Sequence, residues 1–333
     1  MSAKKIGVLG CGMIAELGHL PALKHVAGIN LHAVYDVSWN RALSMQAKFQ
    51  IPHAFPTEKA FWESDIDAVV ICTPAPFHLA NVLQAAQYKK HVLCEKPLAM
   101  NEADITRMIT TMDEAGLMLF TGFTYRFSGS AKEIHRLVRS GAIGEVRALR
   151  LNYLWNLHGK WNWNRKGERI ASPLRVGRML EGGPMVEMSF SYNATSREPR
   201  THFQYELIGS DGVIRYNREE HSFELRNSHG TQWLAWHPEK NFVGMHWEFA
   251  HALSTGDLRD MPTAKDGLLA TRIARLATEE AMRNRERTSQ DHPSTMARAV
   301  NTVTSDVTSP LDLEEPDDLP PSTLSPLFER TKQ

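Results

Sequence analysis

A lysine lies just beyond an apolar, strand-like run in the first half of the chain. The run at 91–94 leads into Glu95-Lys96-Pro97. A lysine just past the carboxyl end of a buried strand can direct its ammonium group at a bound ligand. An amine in that position can take up or release the proton of a hydroxyl while hydride leaves the same carbon. We therefore predict that Lys96 transfers protons and that Glu95 lies beside it at the edge where a cofactor binds.

A glycine-rich turn lies near the start of the chain. Residues 10–15 read Gly-Cys-Gly-Met-Ile-Ala and fit G-x-G-x-x-A between a short apolar run and a helical apolar period. The first glycine permits a tight turn, the second lets a pyrophosphate approach the backbone, and the phosphates meet the amino end of the helix. The alternative is a glycine turn in some other α/β fold. The favoured interpretation is a dinucleotide site that includes Gly10, Gly12, Met13 and Ile14.

An acidic residue ends the next strand-like run. Asp36 follows residues 31–35 and lies 24 positions beyond Gly12. A carboxylate at this place can accept hydrogen bonds from the adenosine ribose hydroxyls, and it repels a 2′-phosphate. The residue therefore favours NAD as the cofactor, while Arg41 nearby leaves NADP open.

A proline-rich segment follows the strand-like run at 68–72. Residues 73–78 read Thr-Pro-Ala-Pro-Phe-His, in which the prolines restrict the loop and Thr73 offers a hydroxyl. In a doubly wound sheet this position lies at the ligand-binding edge. A rigid turn that starts a helix, with His78 on the surface, is the alternative for this segment.

Strand-like and helical patterns alternate through the first 124 residues. Such alternation is typical of a parallel, doubly wound sheet with helices on both faces. We predict an α/β protein with a Rossmann dinucleotide-binding domain at residues 1–124. The strand-like runs are 6–9, 31–35, 68–72, 91–94 and 118–123.

The pattern changes to a strand-rich one after residue 124. Four strand-like runs, two of them joined by the turn Gly-Ser-Asp-Gly at 209–212, predict an α+β domain at 125–290 with an open, mostly antiparallel sheet. Residues 291–333 hold six of the seventeen prolines and no sustained apolar period, which predicts a disordered tail. The four runs are 145–157, 186–193, 202–208 and 213–217.

Composition limits the possible classes of protein. The 333 residues include 38 basic and 38 acidic side chains, so no charge excess points to nucleic acid. The amino-terminal apolar run is too short for a signal peptide or a membrane span, and the three unpaired-looking cysteines suit a reducing compartment, so we expect a cytoplasmic protein. His246 and His251 are five residues apart and do not match the zinc pattern H-E-x-x-H, so no metal is expected.

Together these segments resemble the Gfo/Idh/MocA family, the glucose-fructose oxidoreductase and inositol dehydrogenase group of NAD(P)-dependent enzymes. The resemblance continues into the second half of the chain and covers roughly residues 5–288. It includes the junction strand at 122–127, the helix-to-strand turn at 140–146, the late strand turn at 209–214 and the closing helix at 266–281.

The resemblance implies roles for individual residues. Lys96 would be the catalytic lysine, and Tyr125, Arg126 and Trp161 would be candidates for substrate contacts. Family members commonly associate through the second sheet, so the resemblance also implies a homo-oligomer. The residues that would hold the dinucleotide or line its nicotinamide side are Gly10, Gly12, Asp36, Thr73, Pro74 and His78.

One segment departs from the family pattern. Family members usually follow a double glycine such as Gly182-Gly183 with D-x-G-x-H-x-x-D, whose Asp and His face the catalytic lysine. Here residues 184–192 read Pro-Met-Val-Glu-Met-Ser-Phe-Ser-Tyr and contain neither residue. We infer that a block of several tens of residues is absent between about Met185 and Glu187.

These patterns lead to two functional hypotheses. The first is an oxidoreductase that transfers hydride between NAD, or NADP, and a secondary alcohol of a sugar, cyclitol or related polyol. The second is a catalytically inactive protein that binds dinucleotide and serves regulation or assembly. The absence of the His/Asp segment is the reason to keep the second hypothesis.

Overall fold

The structure is a computed structural model that describes residues 3–155, 174–179, 185–191, 201–259 and 261–291. The chain divides by internal contacts into Met1–Asn284 and Arg285–Gln333. The first unit holds both sheets. The predicted tail lies outside the described residues except for Asp291, and the predicted boundary after residue 124 stays a prediction.

The first sheet has six parallel strands in the order β3-β2-β1-β4-β5-β6. Strand β4 is an uninterrupted apolar run, Ala-Val-Val-Ile, and all four residues are buried, as expected when helices cover both faces of a parallel sheet. The predicted doubly wound sheet is therefore confirmed. The strands are β1 Lys4–Leu9, β2 Ile29–Tyr35, β3 His53–Ala54, β4 Ala68–Ile71, β5 His91–Cys94 and β6 Leu119–Thr121.

Helices bury apolar side chains against both faces of this sheet. One face packs on α1, α2 and α7, and the other packs on α3, α4 and α5. A π-helical segment, Ala15–His19, runs directly into α1. The helices that cover the two faces are α1 Leu20–Leu23, α2 Trp39–Phe49, α3 Glu58–Trp62, α4 His78–Gln87, α5 Glu102–Glu114 and α7 Phe242–Thr255.

In the described part of the chain, the second sheet has seven strands in the order β13-β12-β11-β10-β7-β9-β8. Every neighbouring pair is antiparallel except β7 and β9, so the predicted mostly antiparallel sheet is confirmed. The strands are β7 Val146–Trp155, β8 Leu174–Met179, β9 Met185–Ser191, β10 Thr201–Gly209, β11 Gly212–Asn217, β12 Ser222–Asn227 and β13 Gly230–Trp233.

A separate apolar cluster lies between this sheet and helix α6, Gly129–Arg139. Leu137 of α6 and Phe203, Tyr216 and Phe223 of the sheet are among its buried members. Helix α8, Ala264–Asp291, closes the described part of the chain. The described helices include none that is long and apolar enough to cross a membrane.

Strand β9 runs across the place where the sequence predicts an absent block. Met185 pairs with Ala148 of β7 and Met179 of β8, and Glu187 pairs with Arg150 and Gly177 in the same register. The pairing of β9 is therefore continuous through the predicted junction. Whether family members carry additional residues here stays a prediction.

Candidate active site

The strands β1, β4 and β5 end side by side at one edge of the first sheet. The Cys72 amide donates to the Leu9 carbonyl at 2.8 Å, and the Glu95 amide donates to the Ile71 carbonyl at 3.0 Å. The loops that follow these strands carry the glycine turn, the Thr73 segment and Lys96. Because the carboxyl ends of parallel strands share one edge, the structure brings these three predicted segments together.

The glycine turn leaves β1 through a backbone conformation that requires glycine. Gly10 has φ +92°, and a Cβ atom there would lie 2.9 Å from the carbonyl carbon of Cys72. Gly12 differs, since a Cβ atom on it would meet no atom within 4 Å. Met13 is 51% exposed beside this open space, whereas Ile14 packs partly against the core. The space above Gly12 can admit a ligand close to the backbone.

Asp36 connects the end of β2 to the glycine turn. Its carboxylate accepts hydrogen bonds from the backbone amides of Cys11 at 2.7 Å and Ser38 at 2.8 Å, and Arg41 Nη1 lies 3.9 Å away. A carboxylate has about four acceptor positions, so it can still accept from a ligand hydroxyl. The open space above Gly12 and this buried acid together fit the pyrophosphate and ribose of a dinucleotide.

The Thr73 segment is held by His78 from within the protein. The His78 side chain is 1% exposed, and its Nε2 lies 2.7 Å from the Thr73 carbonyl oxygen, while its Nδ1 lies 3.0 Å from that of Pro97. The Thr73 hydroxyl donates to Asn81 Oδ1 at 2.7 Å, and Pro74 is exposed. His78 is therefore not a surface residue, and it joins the loop after β4 to the loop that carries Lys96.

Glu95 belongs to a buried chain of three side chains. Its Oε1 lies 2.9 Å from His19 Nε2, and His19 Nδ1 lies 3.0 Å from His246 Nε2 of α7. Both histidines are fully buried and Glu95 is 5% exposed. Burial raises the pKa of Glu95. The hydrogen bond and charge of His19 and the charge of Lys96 lower it by more than burial raises it, so the pKa of Glu95 lies below its ordinary value.

Lys96 is the exposed member of this part of the site. Its backbone amide donates to Glu95 Oε2 at 3.1 Å, which links its position to the buried chain. Its ammonium group has no recorded hydrogen bond or ion pair with the described residues. The structure thus leaves the Lys96 ammonium available to a ligand at the edge that holds the glycine turn.

The predicted substrate residues lie in different surroundings. Tyr125 packs edge-on against Phe203 of β10, with ring centroids 6.0 Å apart. Arg126 is exposed and lies 3.7 Å from Asp266 of α8. Trp161 and the Gly182-Gly183 pair lie outside the described residues. The substrate roles of Tyr125, Arg126 and Trp161 stay predictions.

Sequence reasoning missed the histidines of the buried chain. His19 lies within a helical apolar period, and the sequence around His246 indicates only an imperfect match to a zinc pattern. Among the described residues, no group of three or more His, Cys, Asp and Glu side chains is placed to hold a metal ion. The residues His19 and His246 are 227 positions apart, so no local signal could have joined them.

We expect His246 to make the fold less stable in mild acid. Burial lowers the pKa of His246 well below its ordinary value, and His19 lowers it further. The folded protein therefore keeps His246 neutral, whereas the unfolded chain takes up a proton below about pH 6.5. Each pH unit below that value should cost up to about 1.4 kcal/mol of unfolding free energy.

Urea unfolding of the wild type and of His246→Gln across this pH range measures that slope. The substitution should lower the number of protons taken up on unfolding by about one, which reduces the slope of unfolding free energy against pH. His229→Gln, an exposed histidine outside the buried chain, is the control and should keep the wild-type slope. Equal slopes for the wild type and His246→Gln would contradict the assignment. The lowered pKa of Glu95 has a separate effect on stability, because the stabilisation by this carboxylate is lost only as the pH falls below the ordinary pKa of a glutamate.

The fold and site together define a two-sheet α/β protein with a dinucleotide-type turn and a lysine at the same edge. Residues 4–123 match the model of GFO_IDH_MocA, the oxidoreductase family with the NAD-binding Rossmann fold. Over this Rossmann segment the chain is similar to the Gfo/Idh/MocA oxidoreductase family. For residues 4–123, the predicted resemblance to this family and the predicted NAD-type cofactor are confirmed.

Curated relatives match over part of their length. Myo-inositol 2-dehydrogenase of Thermotoga maritima is 37% identical over 148 residues, which are 44% of this chain and 44% of that protein. A dTDP-3,4-didehydro-2,6-dideoxy-alpha-D-glucose 3-reductase of Streptomyces violaceoruber is 32% identical over 186 residues, 56% of this chain and 51% of that protein. The chain thus spans about half the length of the curated relatives it matches.

Solved structures share the fold over most of the chain. An oxidoreductase from Agrobacterium radiobacter, in complex with NAD+, L-tartaric acid and magnesium, has a TM-score of 0.71 at 19% identity and covers 84% of this chain and 97% of its own. A 3-ketoreductase from Actinomadura kijaniata with NADP and TDP-benzene has a TM-score of 0.68 at 20% identity and covers 81% and 95%. At these identities the likeness shows the fold alone.

Proposed function

We propose that the protein is an NAD(P)-dependent oxidoreductase acting on a secondary alcohol of a sugar, cyclitol or related polyol. The observation that carries this proposal is the exposed Lys96 ammonium, which has no hydrogen bond or ion pair with the described residues and lies at the edge where the glycine turn opens. The dehydrogenases and reductases among the curated relatives support the reaction class.

The proposed reaction divides the work between cofactor and protein. When bound, the nicotinamide would supply the hydride acceptor or donor at its C4 atom. Gly10, Gly12 and Asp36 would hold the dinucleotide by its phosphates and ribose. As a neutral amine, Lys96 would take the hydroxyl proton while the alcohol is oxidised and become an ammonium group, and in the reverse direction the ammonium would return that proton. The buried His19–Glu95 pair would hold the backbone at Lys96 in place through the Glu95 Oε2 bond.

We expect NADH to bind more tightly than NADPH because the Asp36 carboxylate repels a 2′-phosphate. Fluorescence titration of both cofactors measures the two dissociation constants. Asp36→Asn removes the negative charge and should lower the ratio of the NADPH constant to the NADH constant by at least about tenfold, or about 1.4 kcal/mol. A ratio that stays at the wild-type value would contradict the role of Asp36.

A second function, dinucleotide binding without turnover, is favoured by one observation. The chain has no His or Asp in residues 184–192, after its double glycine. Titration with NADH and an assay of NAD reduction with a panel of polyols distinguish the two functions. Binding with turnover supports the oxidoreductase, binding without turnover supports the second function, and no binding contradicts both.

We also propose that the protein assembles through the second sheet. Strand β13 is an exposed edge strand, and its Trp233 side chain is 69% exposed. An exposed edge strand offers unpaired backbone groups to another chain. Sedimentation velocity measures the assembly, and a purely monomeric protein would contradict it.

A further inference from the structure

The segment before helix α7 is anchored on both sides of Lys240. On one side, the Glu239 carboxylate accepts hydrogen bonds from Arg218 at 2.8 and 2.9 Å and from the Tyr216 hydroxyl at 2.8 Å. On the other side, Asn241 Nδ2 donates to the Phe127 carbonyl oxygen at 3.1 Å. The backbone is therefore anchored on both sides of Lys240, whose side chain is exposed.

This segment meets the loop of Lys96 through the stretch after β6. The Asn241 amide lies 3.4 Å from the Thr124 carbonyl oxygen, and the Gly122 amide donates to the Cys94 carbonyl oxygen at 2.7 Å. A Cβ atom on Gly122 would lie 3.2 Å from Glu95 Oε1, which shows how closely this stretch approaches Glu95. These contacts connect the backbone beside Lys240 to the stretch that packs against Glu95, the neighbour of Lys96.

The charges around these two lysines leave a positive excess. Partial burial lowers the pKa of Lys240, and the charge of Lys96 lowers it further, while Glu95 and Glu239 oppose the shift. Both carboxylates already have partners, since Glu95 bonds to His19 and Glu239 bonds to Arg218. The two ammonium groups have no recorded hydrogen bond or ion pair with the described residues.

The charges of Lys96 and Lys240 act on each other, and the neighbouring carboxylates of Glu95 and Glu239 already have partners among the described residues. This arrangement favours a ligand that supplies a further anion. We propose that Lys240 binds a carboxylate on the substrate, next to the hydroxyl whose proton Lys96 transfers. The preferred substrates are then sugar acids or hydroxy acids. This inference rests on the proposed function, and it narrows the substrate class from neutral polyols to acidic ones. Lys240 would contact the anion, and Lys96 would remain the residue that moves the proton.

A matched pair of ligands tests the inference. L-tartrate and L-threitol share the same two central carbinols and differ only in their ends, which are carboxylates in one and hydroxymethyl groups in the other. We would titrate each by calorimetry into the full chain saturated with NAD+. Tartrate should bind at least about tenfold more tightly than threitol, since an ammonium-carboxylate contact strengthens binding. Added salt should weaken tartrate binding more than threitol binding.

Variants at one position assign the contact. Lys240→Gln should weaken tartrate binding by about 10- to 100-fold and leave threitol binding almost unchanged. Lys240→Arg keeps the charge and should retain most of the tartrate affinity. Lys59→Gln removes an exposed charge on α3 and should bind both ligands like the wild type.

Several outcomes would overturn the inference. They are a wild type that does not prefer tartrate, a Lys240→Gln variant with wild-type tartrate affinity, and an equal loss for both ligands. NADH titration of the same samples separates these results from a failure of the proposed function. Normal NADH binding with no tartrate preference overturns the acid-binding role alone, whereas absent NADH binding overturns the proposed function itself.

Discussion

Replacing Lys96 by methionine is expected to lower kcat for alcohol oxidation by about 10²- to 10⁴-fold, the usual effect of losing one positioned acid or base. Methionine keeps most of the side-chain length and removes the amine. The dinucleotide contacts assigned to Gly10, Gly12 and Asp36 do not involve this amine, so the NADH dissociation constant should change far less than kcat. Steady-state kinetics and NADH titration on the same protein measure both quantities.

The control for this variant is Lys59→Met. Lys59 lies on α3, and its exposed ammonium is 3.7 Å from the carboxylate of Glu63, four residues later. It should keep the wild-type kcat and NADH affinity. If Lys96→Met turned over substrate as fast as the wild type, Lys96 would not be the proton-transfer residue. If the wild type itself bound NADH without turnover, the binding function would replace the oxidoreductase.

Replacing Gly10 by alanine should damage both the fold and cofactor binding. The φ of +92° is unfavourable for any residue with a Cβ atom, and the new atom would lie 2.9 Å from the Cys72 carbonyl carbon. The left-handed region costs an L-residue about 1 to 2 kcal/mol, and the contact with backbone adds to that cost. Urea unfolding should report this loss, and NADH affinity should fall because the turn is displaced.

Gly12→Ala is the matched variant because it adds the same methyl group to the same turn. Gly12 has no positive φ, and its Cβ atom would meet nothing within 4 Å. The unfolding free energy should therefore stay near the wild-type value. The methyl group would occupy the space assigned to the pyrophosphate, so the NADH dissociation constant should rise by at least about tenfold, or about 1.4 kcal/mol. Unchanged NADH binding in Gly12→Ala would contradict a dinucleotide at this turn.

The strands that sequence reasoning found are those with a strong local signal. Ala68–Ile71 is wholly apolar because both faces of the first sheet are covered, and such a run is visible without a structure. The strands it missed are short or mixed in character. Strand β3 has two residues, and β13 is an exposed edge strand that reads Gly-Thr-Gln-Trp. Their pairing with neighbouring strands defines them, and pairing is a tertiary property.

The candidate site also has a part that the sequence predicts and a part that it does not. The glycine turn and Asp36 form a motif of fixed spacing, because the βαβ unit sets the distance between the ends of two adjacent strands. The environment of Glu95 has no such local rule. His19 comes from the first helical segment and His246 from α7, and only the packing of α7 on the first sheet brings them to 3.0 Å.

The sequence by itself determined the Rossmann order of strands and helices, the dinucleotide turn and the lysine at its edge. These features depend on apolar period, glycine conformation and short spacing, which are written in neighbouring residues. Only the tertiary structure decided that His78 is a buried link between two loops, that Glu95 ends a buried Glu-His-His chain, and that the segment of Lys240 meets the stretch after β6. Those contacts join elements that are distant along the chain, and the packing of the fold selects them.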